Sequence, residues 1–243
     1  MRPENLAFIA APMVNQSDLP FRNLVRRHGA TMAYTQMLMP DRILNDQQYF
    51  EHYLRDLTLD TQLGNPVVVQ LCGDNIDSIV QAGRKLQGYC DGIEQLLIGV
   101  RSIIDLNLGC PLEAARDGHY GAYLLSQKDW PLVEGIVSGM ASSFTVPASV
   151  KIRLCQPVEK TLDFAQRLEA CGAAWVTLHA RTVSARRRRQ GAADLDQVKR
   201  LKENLRIPVV SNGNVRIWTD IPENLNYTGA DGVMVGETLL RNP

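Results

Sequence analysis

The chain has 243 residues, 45% of them hydrophobic and 21% charged, and its 26 basic and 26 acidic side chains balance to a formal net charge of zero. That length is close to the ~250 residues of one eight-stranded α/β barrel and is enough to bury a full core. No run of about 18 apolar residues exists, which excludes a membrane span, and the N-terminus (MRPENLAFIAAPMV) lacks the layout of a signal peptide.

Short β-branched runs recur along the chain, separated by stretches of helical period. Leu6–Ala11 is apolar and stops at Pro12, which cannot donate to a ladder. Asp18–His28 follows as a predicted helix, with Asp18 as N-cap and Phe21, Leu24 and Val25 on one face. Further strands are predicted at Ala33–Met37, Val67–Leu71, Ile103–Leu108, Ala148–Arg153, Trp175–His179, Pro208–Ser211 and Gly232–Val235. Helical patterns fall between most of them, at Asp77–Gln87, Trp130–Phe144, Thr161–Ala170 and Asp194–Leu205. Eight strands alternating with helices imply parallel strands and right-handed crossovers. A (β/α)8 TIM barrel is the expected closure, with a doubly wound open sheet as the alternative. There is no internal repeat or low-complexity linker, so residues 1–243 read as one domain. The sequence stops at Leu239–Pro243, where an eighth helix is due, so the expected barrel is C-terminally truncated before or within that helix.

In such barrels the chemistry lies at the C-terminal ends of the strands. Pro12 and Met13 follow strand one, Gln70 ends strand three, and Asn107 to Pro111 follow strand four. Lys151 and Arg153 end strand five, and His179 and Arg181 close strand six. Asn212-Gly213-Asn214 follows strand seven, and Gly236-Glu237 follows strand eight. The last two segments have the makings of a phosphate cradle, because glycines allow close backbone approach and main-chain N–H groups attract anions. An Asn-Gly-Asn turn is also an ordinary strand-to-helix turn. Lys151 and His179 end buried strands, where a charge needs a partner. That partner is either an anionic ligand or an internal carboxylate such as Asp105. The five cysteines (Cys72, Cys90, Cys110, Cys155 and Cys171) are scattered singly, without metal-ligand spacing, so no metal is expected and a reduced compartment is the simple reading. Cys110 stands apart, in a loop between Gly109 and Pro111. A thiol of ordinary pKa, ~8.5, can act there as a general acid, or the residue has no role.

Taken in order, these segments resemble the flavin-dependent tRNA-dihydrouridine synthases. The likeness runs from Ala7 to Pro243 through Ala11-Pro12-Met13, Tyr34-Thr35-Gln36-Met37, Val69-Gln70-Leu71, Asp105-Leu106-Asn107-Leu108-Gly109-Cys110-Pro111 and Gly118-His119-Tyr120-Gly121-Ala122. Lys151-Ile152-Arg153, His179-Ala180-Arg181-Thr182, Ser211-Asn212-Gly213-Asn214 and Gly229-Ala230-Asp231-Gly232-Val233-Met234 complete it. The Cys110 segment and the Gly118–Ala122 stretch are most similar to the eukaryotic 16/17 type, which acts on the D-loop of tRNA. The resemblance implies reduction of uridine to 5,6-dihydrouridine, with FMN as hydride carrier and NADPH or NADH as reductant. Hydride reaches C6 of a uracil turned out of the tRNA, and Cys110 delivers a proton to C5. It further implies that the flavin lies over Pro12 and Met13, with Gln70, Lys151 and His179 at its polar edge. Asn212, Gly213, Asn214, Gly236 and Glu237 would hold the phosphate, Asn107 would orient the uracil, and Arg153 and Arg181 would contact substrate. Arg186 to Arg189, after strand six, are either a solvated loop or a contact to tRNA phosphates.

Two departures from the family pattern stand out. Residues Glu94 to Ile104 (EQLLIGVRSII) exceed it, and such an insertion either bulges from the bottom of strand four or competes with Ile103–Leu108 and shifts its register. The helical tRNA-gripping domain that follows the barrel in the family has no counterpart here. Two rivals therefore stay open: an FMN barrel acting on a free pyrimidine, like dihydroorotate dehydrogenase, and an inactive or non-catalytic tRNA-binding fragment. The expected partners are tRNA and NAD(P)H, with no membrane, in a monomer of the cytoplasm or nucleus.

Overall fold

Eight short aliphatic runs become eight parallel strands in a computed structural model that describes residues 6–64, 66–90, 103–185 and 191–243. They are β1 (Phe8–Ala10), β2 (Met32–Leu38), β3 (Val67–Leu71), β4 (Ile103–Leu108), β5 (Ala148–Arg153), β6 (Val176–His179), β7 (Val209–Asn212) and β8 (Gly232–Val235). Each pairs with the next, and β8 pairs back to β1 through Phe8 with Val233 and Ala10 with Val235, so the sheet is a closed barrel and not an open one. Among the described residues the helices are α1 (Leu19–Arg27), α2 (Pro40–Asn45), α3 (Gln47–Gln62), α4 (Ile76–Cys90), α5 (Glu113–Asp117), α6 (Trp130–Ser143), α7 (Lys160–Ala170), α8 (Leu195–Asn204) and α9 (Asp220–Thr228). A 3-10 turn, Glu237–Leu240, follows β8.

Helix α1 begins as expected, with the Asp18 carboxylate accepting the Phe21 N–H at 3.0 Å. Its buried face differs from the sequence reading. Val25 is buried, but Leu24 is 44% exposed and Arg22 is buried in its stead. The reason lies on α3, where buried Asp60 pairs with both Arg22 and Arg26 and so turns the 22, 25, 26 stripe inward.

The alternation of β4 is intact. Ile104, Leu106 and Leu108 face outward into the shell of aliphatic side chains between strands and helices, together with Val69, Leu71, Val150 and Ile152. Ile103 faces inward and pairs with Val68, while Ile104 pairs with Ala148. Ile103 and Ile104, read as the end of an insertion, are thus strand residues in register; residues 94–102 of that stretch lie outside the described residues, as do Arg186 to Arg189.

Inside the barrel there are two tiers. Ile9, Met32, Tyr34, Val68, Ile103, Trp175, Val210 and Met234 fill the N-terminal half. Two positions further along the same strands the inward residues are polar: Gln70, Asp105, Thr177 and Asn212, with Asn107 and His179 beyond them. On the outside, exposed Ile217 and Trp218 edge an apolar groove between α1 and α9, over β1 and β8.

Candidate active site

Above the apolar tier the barrel opens into a cleft of about 450 Å³, within the range of small-ligand sites. It gathers Pro12, Met13, Gln70, Asn107, Cys110, Lys151, Arg153, His179, Arg181, Asn212, Gly213, Asn214, Gly236 and Glu237 around one mouth. Strand register explains the gathering. Gln70 pairs with Asp105, Asn107 with Lys151, Arg153 with His179 and His179 with Asn212, so polar side chains climb the wall in neighbouring steps.

The Cys110 loop is held from three sides. Asn107 Oδ1 accepts the N–H groups of Gly109 (3.0 Å) and Cys110 (2.9 Å). The Arg153 Nε donates to the Gly109 carbonyl at 2.9 Å, and the Ala122 N–H donates to the Cys110 carbonyl at 3.1 Å. Gly121 sits against the same carbonyl with φ +66°, where a Cβ would lie 2.9 Å from the oxygen. The thiol itself packs with Cys72, Ala115 and Tyr120. Burial pushes its pKa above the usual thiol range, outweighing the opposing Leu112 backbone hydrogen bond and the charges of Arg153 and Lys151. Cys110 is therefore an acid that keeps its proton at neutral pH.

Several side chains expected to meet a ligand are first engaged with the protein. Beyond its two backbone contacts, Asn107 donates from Nδ2 to Gln70 Oε1 at 2.7 Å, and Gln70 Nε2 donates to Asp105 Oδ2 at 2.8 Å. Arg153 Nη1 donates to the Thr182 and Ala185 carbonyls, and Arg181 Nε donates to the Gly191 carbonyl. The two arginines thereby hold the backbone at Thr182, Ala185 and Gly191. Asn214, at φ +60°, spends its amide on the Ala193 N–H and carbonyl.

Cations dominate the cleft. Burial, with Arg153 nearby, lowers Lys151 to about 8 against the pull of Asp105. Burial, with Arg181 nearby, lowers Arg153 to about 10. His179 is held well below its ordinary value by burial and then by Lys151, Arg153 and Arg181, so it is neutral. Its Nε2, 3.0 Å from Arg181 Nη1, is then the acceptor, which leaves Nδ1–H as a donor. Asp105 does not form the internal ion pair considered for Lys151 and His179. Its oxygens take Ser149 Oγ (2.6 Å), Gln70 Nε2 (2.8 Å) and Tyr34 OH (3.5 Å), and burial raises it to about 6.

Two further contributors, Thr35 and Met37, belong to a segment of the family likeness to which the sequence assigned no role. The Thr35 hydroxyl accepts the Gln70 N–H at 3.1 Å because β2 has a bulge between Tyr34 and Met37. Met37 then reaches the cleft, its sulfur 3.7 Å from Asn107 Nδ2. Period-two alternation cannot locate a bulge.

A closed parallel barrel whose C-terminal mouth combines a protonated thiol with several buried basic side chains places this chain among α/β barrels with a polar, cation-lined cleft at the usual site face. The family is more specific than the class. A family model described as dihydrouridine synthase (Dus) matches residues 9–243, and the chain belongs to this family. A mouse protein named tRNA-dihydrouridine(16/17) synthase NAD(P)(+)-like is 36% identical over 236 residues, covering 97% of this chain and 46% of that protein. The tRNA-dihydrouridine(16/17) synthase of Saccharomyces cerevisiae is 34% identical, covering 97% and 53% respectively. A human tRNA-dihydrouridine(20a/20b) synthase-like protein is 33% identical, covering 98% and 70%. The chain spans about half the length of the 16/17 relatives it matches. A solved 2-naphthoyl-CoA reductase shares the fold at a TM-score of 0.71 and 11% identity, over 96% of this chain and 50% of that one.

Proposed function

We propose that this barrel reduces uridine to 5,6-dihydrouridine in tRNA, with FMN as resident cofactor and NAD(P)H as reductant. The observation that carries the reading is Cys110: a thiol kept protonated by burial and fixed by Asn107 at the lip of a cation-lined cleft.

The residues present suit FMN. The Lys151 ammonium lines the cleft with no hydrogen-bond partner among the described residues, and an anionic ring edge would supply one. The main-chain N–H groups of Gly213, Asn214 and Gly236 likewise have no acceptor among the described residues. A Cβ on Gly236 would meet nothing closer than 3.5 Å, so packing does not demand a glycine there, whereas room for a phosphate does. Gly213 and Asn214, with Asn212 and Gly236, would hold that phosphate; Glu237 contributes only main chain, since its carboxylate would repel one. Pro12 and Met13 would underlie the ring, and Gln70, Lys151 and the His179 Nδ1–H would line its polar edge.

Bound FMN supplies the hydride chemistry. The chain's own task is orientation and proton supply. Cys110 protonates C5 of a base that has been extruded from the tRNA, because a stacked base cannot enter such a cleft. Arg153 has already spent Nε and Nη1 on the loops, so Nη2 is what it offers the substrate. The segment around residues 186–190, with its four arginines, supplies sequence-independent phosphate contacts. The test is to purify the protein, record the flavin band near roughly 450 nm, and assay dihydrouridine in unmodified tRNA. Cys110→Ala should keep the flavin and lose about 10²–10⁴ in turnover. A wild-type protein that takes up no FMN, or a Cys110→Ala variant with full turnover, overturns the reading.

A further inference from the structure

The hydrogen bonds beneath Cys110 form one directed chain, and its direction can be deduced from the top down. The backbone N–H groups of Gly109 and Cys110 can only donate, so Asn107 must show them its oxygen, as it does at 3.0 and 2.9 Å. The Asn107 NH2 therefore faces Gln70, which must answer with Oε1, at 2.7 Å. The Gln70 NH2 then faces down into the barrel, where residue 105 is obliged to accept; Asp105 Oδ2 does so at 2.8 Å. A primary amide can turn over by 180° at small steric cost, so a Gln70 amide with no acceptor beneath it can turn and withdraw its oxygen from Asn107, whose own direction the backbone N–H groups set. The fixed end is Asp105, fully buried and braced by Ser149 Oγ at 2.6 Å.

We infer that Asp105 is a positioning residue, whose acceptor oxygen holds the Gln70 amide in the direction that Asn107 requires and, through the two amides, keeps the Cys110 thiol in place. The inference rests on the proposed function only in treating Cys110 as the reacting acid. Asp105 touches no substrate; it acts through two intermediaries. Its charge is a separate matter. It is one strand away from Lys151, and a purely electrostatic role toward that ammonium would make a different prediction.

Two substitutions separate the roles. Asp105→Asn is neutral but keeps an oxygen for Gln70, with its NH2 turned toward the Ser149 hydroxyl. Asp105→Leu is neutral and offers no acceptor. If direction is what matters, Asp105→Asn retains turnover within about threefold. Asp105→Leu, with its FMN content and melting temperature intact, falls at least roughly tenfold. Equal loss in both variants assigns the effect to charge and overturns the inference, as does full turnover in Asp105→Leu.

A second readout does not need activity. Alkylation of Cys110 by iodoacetamide, followed by peptide mass spectrometry, should be at least roughly tenfold faster in Asp105→Leu and unchanged in Asp105→Asn. Should Asp105→Leu fail to fold, Gln70→Met cuts the same chain one link higher and must show the same rise. An unchanged alkylation rate in the cut variant refutes the positioning role. Absence of dihydrouridine formation by the wild type would count against the proposed function and leave the alkylation comparison standing.

Discussion

Lys151 illustrates how burial tunes a single charged group. Burial disfavours its ammonium, and the neighbouring Arg153 adds to that, so its pKa is lowered to about 8. The charged form is fully present below that value and is lost as pH rises through it. The Lys151 contribution to FMN affinity should therefore be constant up to neutral pH and weaken above about pH 8, by at most roughly tenfold per pH unit. In Lys151→Met the affinity should drop roughly 10- to 100-fold, the worth of a charge-assisted hydrogen bond. The same variant should lose the pH dependence, which fluorescence titration of FMN against pH would register. Asp105 is the mirror case: its pKa is raised to about 6, so its ionisation costs stability as pH climbs through that value. The buried acceptor is retained at that cost, in keeping with the directed chain above it.

At the scale of elements, the loop from Cys110 to Leu124 is built as a backing plate. Gly121 presses on the Cys110 carbonyl from a left-handed conformation that an L side chain adopts only at a cost of roughly 1–2 kcal/mol. Gly121→Ala should lower stability by about that much in urea melts. It should also reduce turnover more than FMN binding, since the plate touches the thiol and not the phosphate end. The strands were readable because apolar runs bounded by Gly, Pro and Asn are strong signals; β3, β4, β5 and β8 have the bounds read from sequence. Helices α3 and α9 were not. The inward face of α3 includes Asp60 alongside Phe50 and Leu57, so its stripe reads as polar until its arginine partners are known. Helix α9 is nine residues long, with Pro222 in its first turn. The rim residues were legible because barrel topology dictates where strand ends meet. Their hydrogen-bond partners were not, because Arg153, Arg181 and Asn214 reach across 10 to 44 residues of sequence. The sequence places an arginine beside the Cys110 loop but not the carbonyls that it holds.

Across the whole molecule, the Arg22–Asp60–Arg26 cluster links the outer helices to the cleft. Asp60 is fully buried and accepts from Arg22 Nε at 3.0 Å and from Arg26 Nη1 at 2.6 Å. Arg22 in turn donates to the Ser17 carbonyl at 2.9 Å, and the Ser17 hydroxyl accepts the Met13 N–H, also at 2.9 Å. Removing the carboxylate leaves two guanidiniums without their counter-charge. Asp60→Ala should therefore cost about 3–5 kcal/mol, measured by denaturant unfolding, and should loosen the Pro12–Met13 rim as well. A loss under about 1 kcal/mol would mean that water reaches the cluster and screens it.

Among the described residues, Ile9, Met32, Val68, Trp175 and Met234 pack the lower half of the barrel, and the cleft opens at its C-terminal mouth. On the proposed function a nicotinamide dinucleotide and a tRNA would both use it, and a cleft of about 450 Å³ would not admit them together. Each visitor would then depart before the other enters, and the proposed cycle would have two separate halves. Initial velocities plotted in double-reciprocal form at several fixed tRNA concentrations should give parallel lines. Converging lines would overturn this and demand a second entrance, which the floor formed by the described residues does not offer.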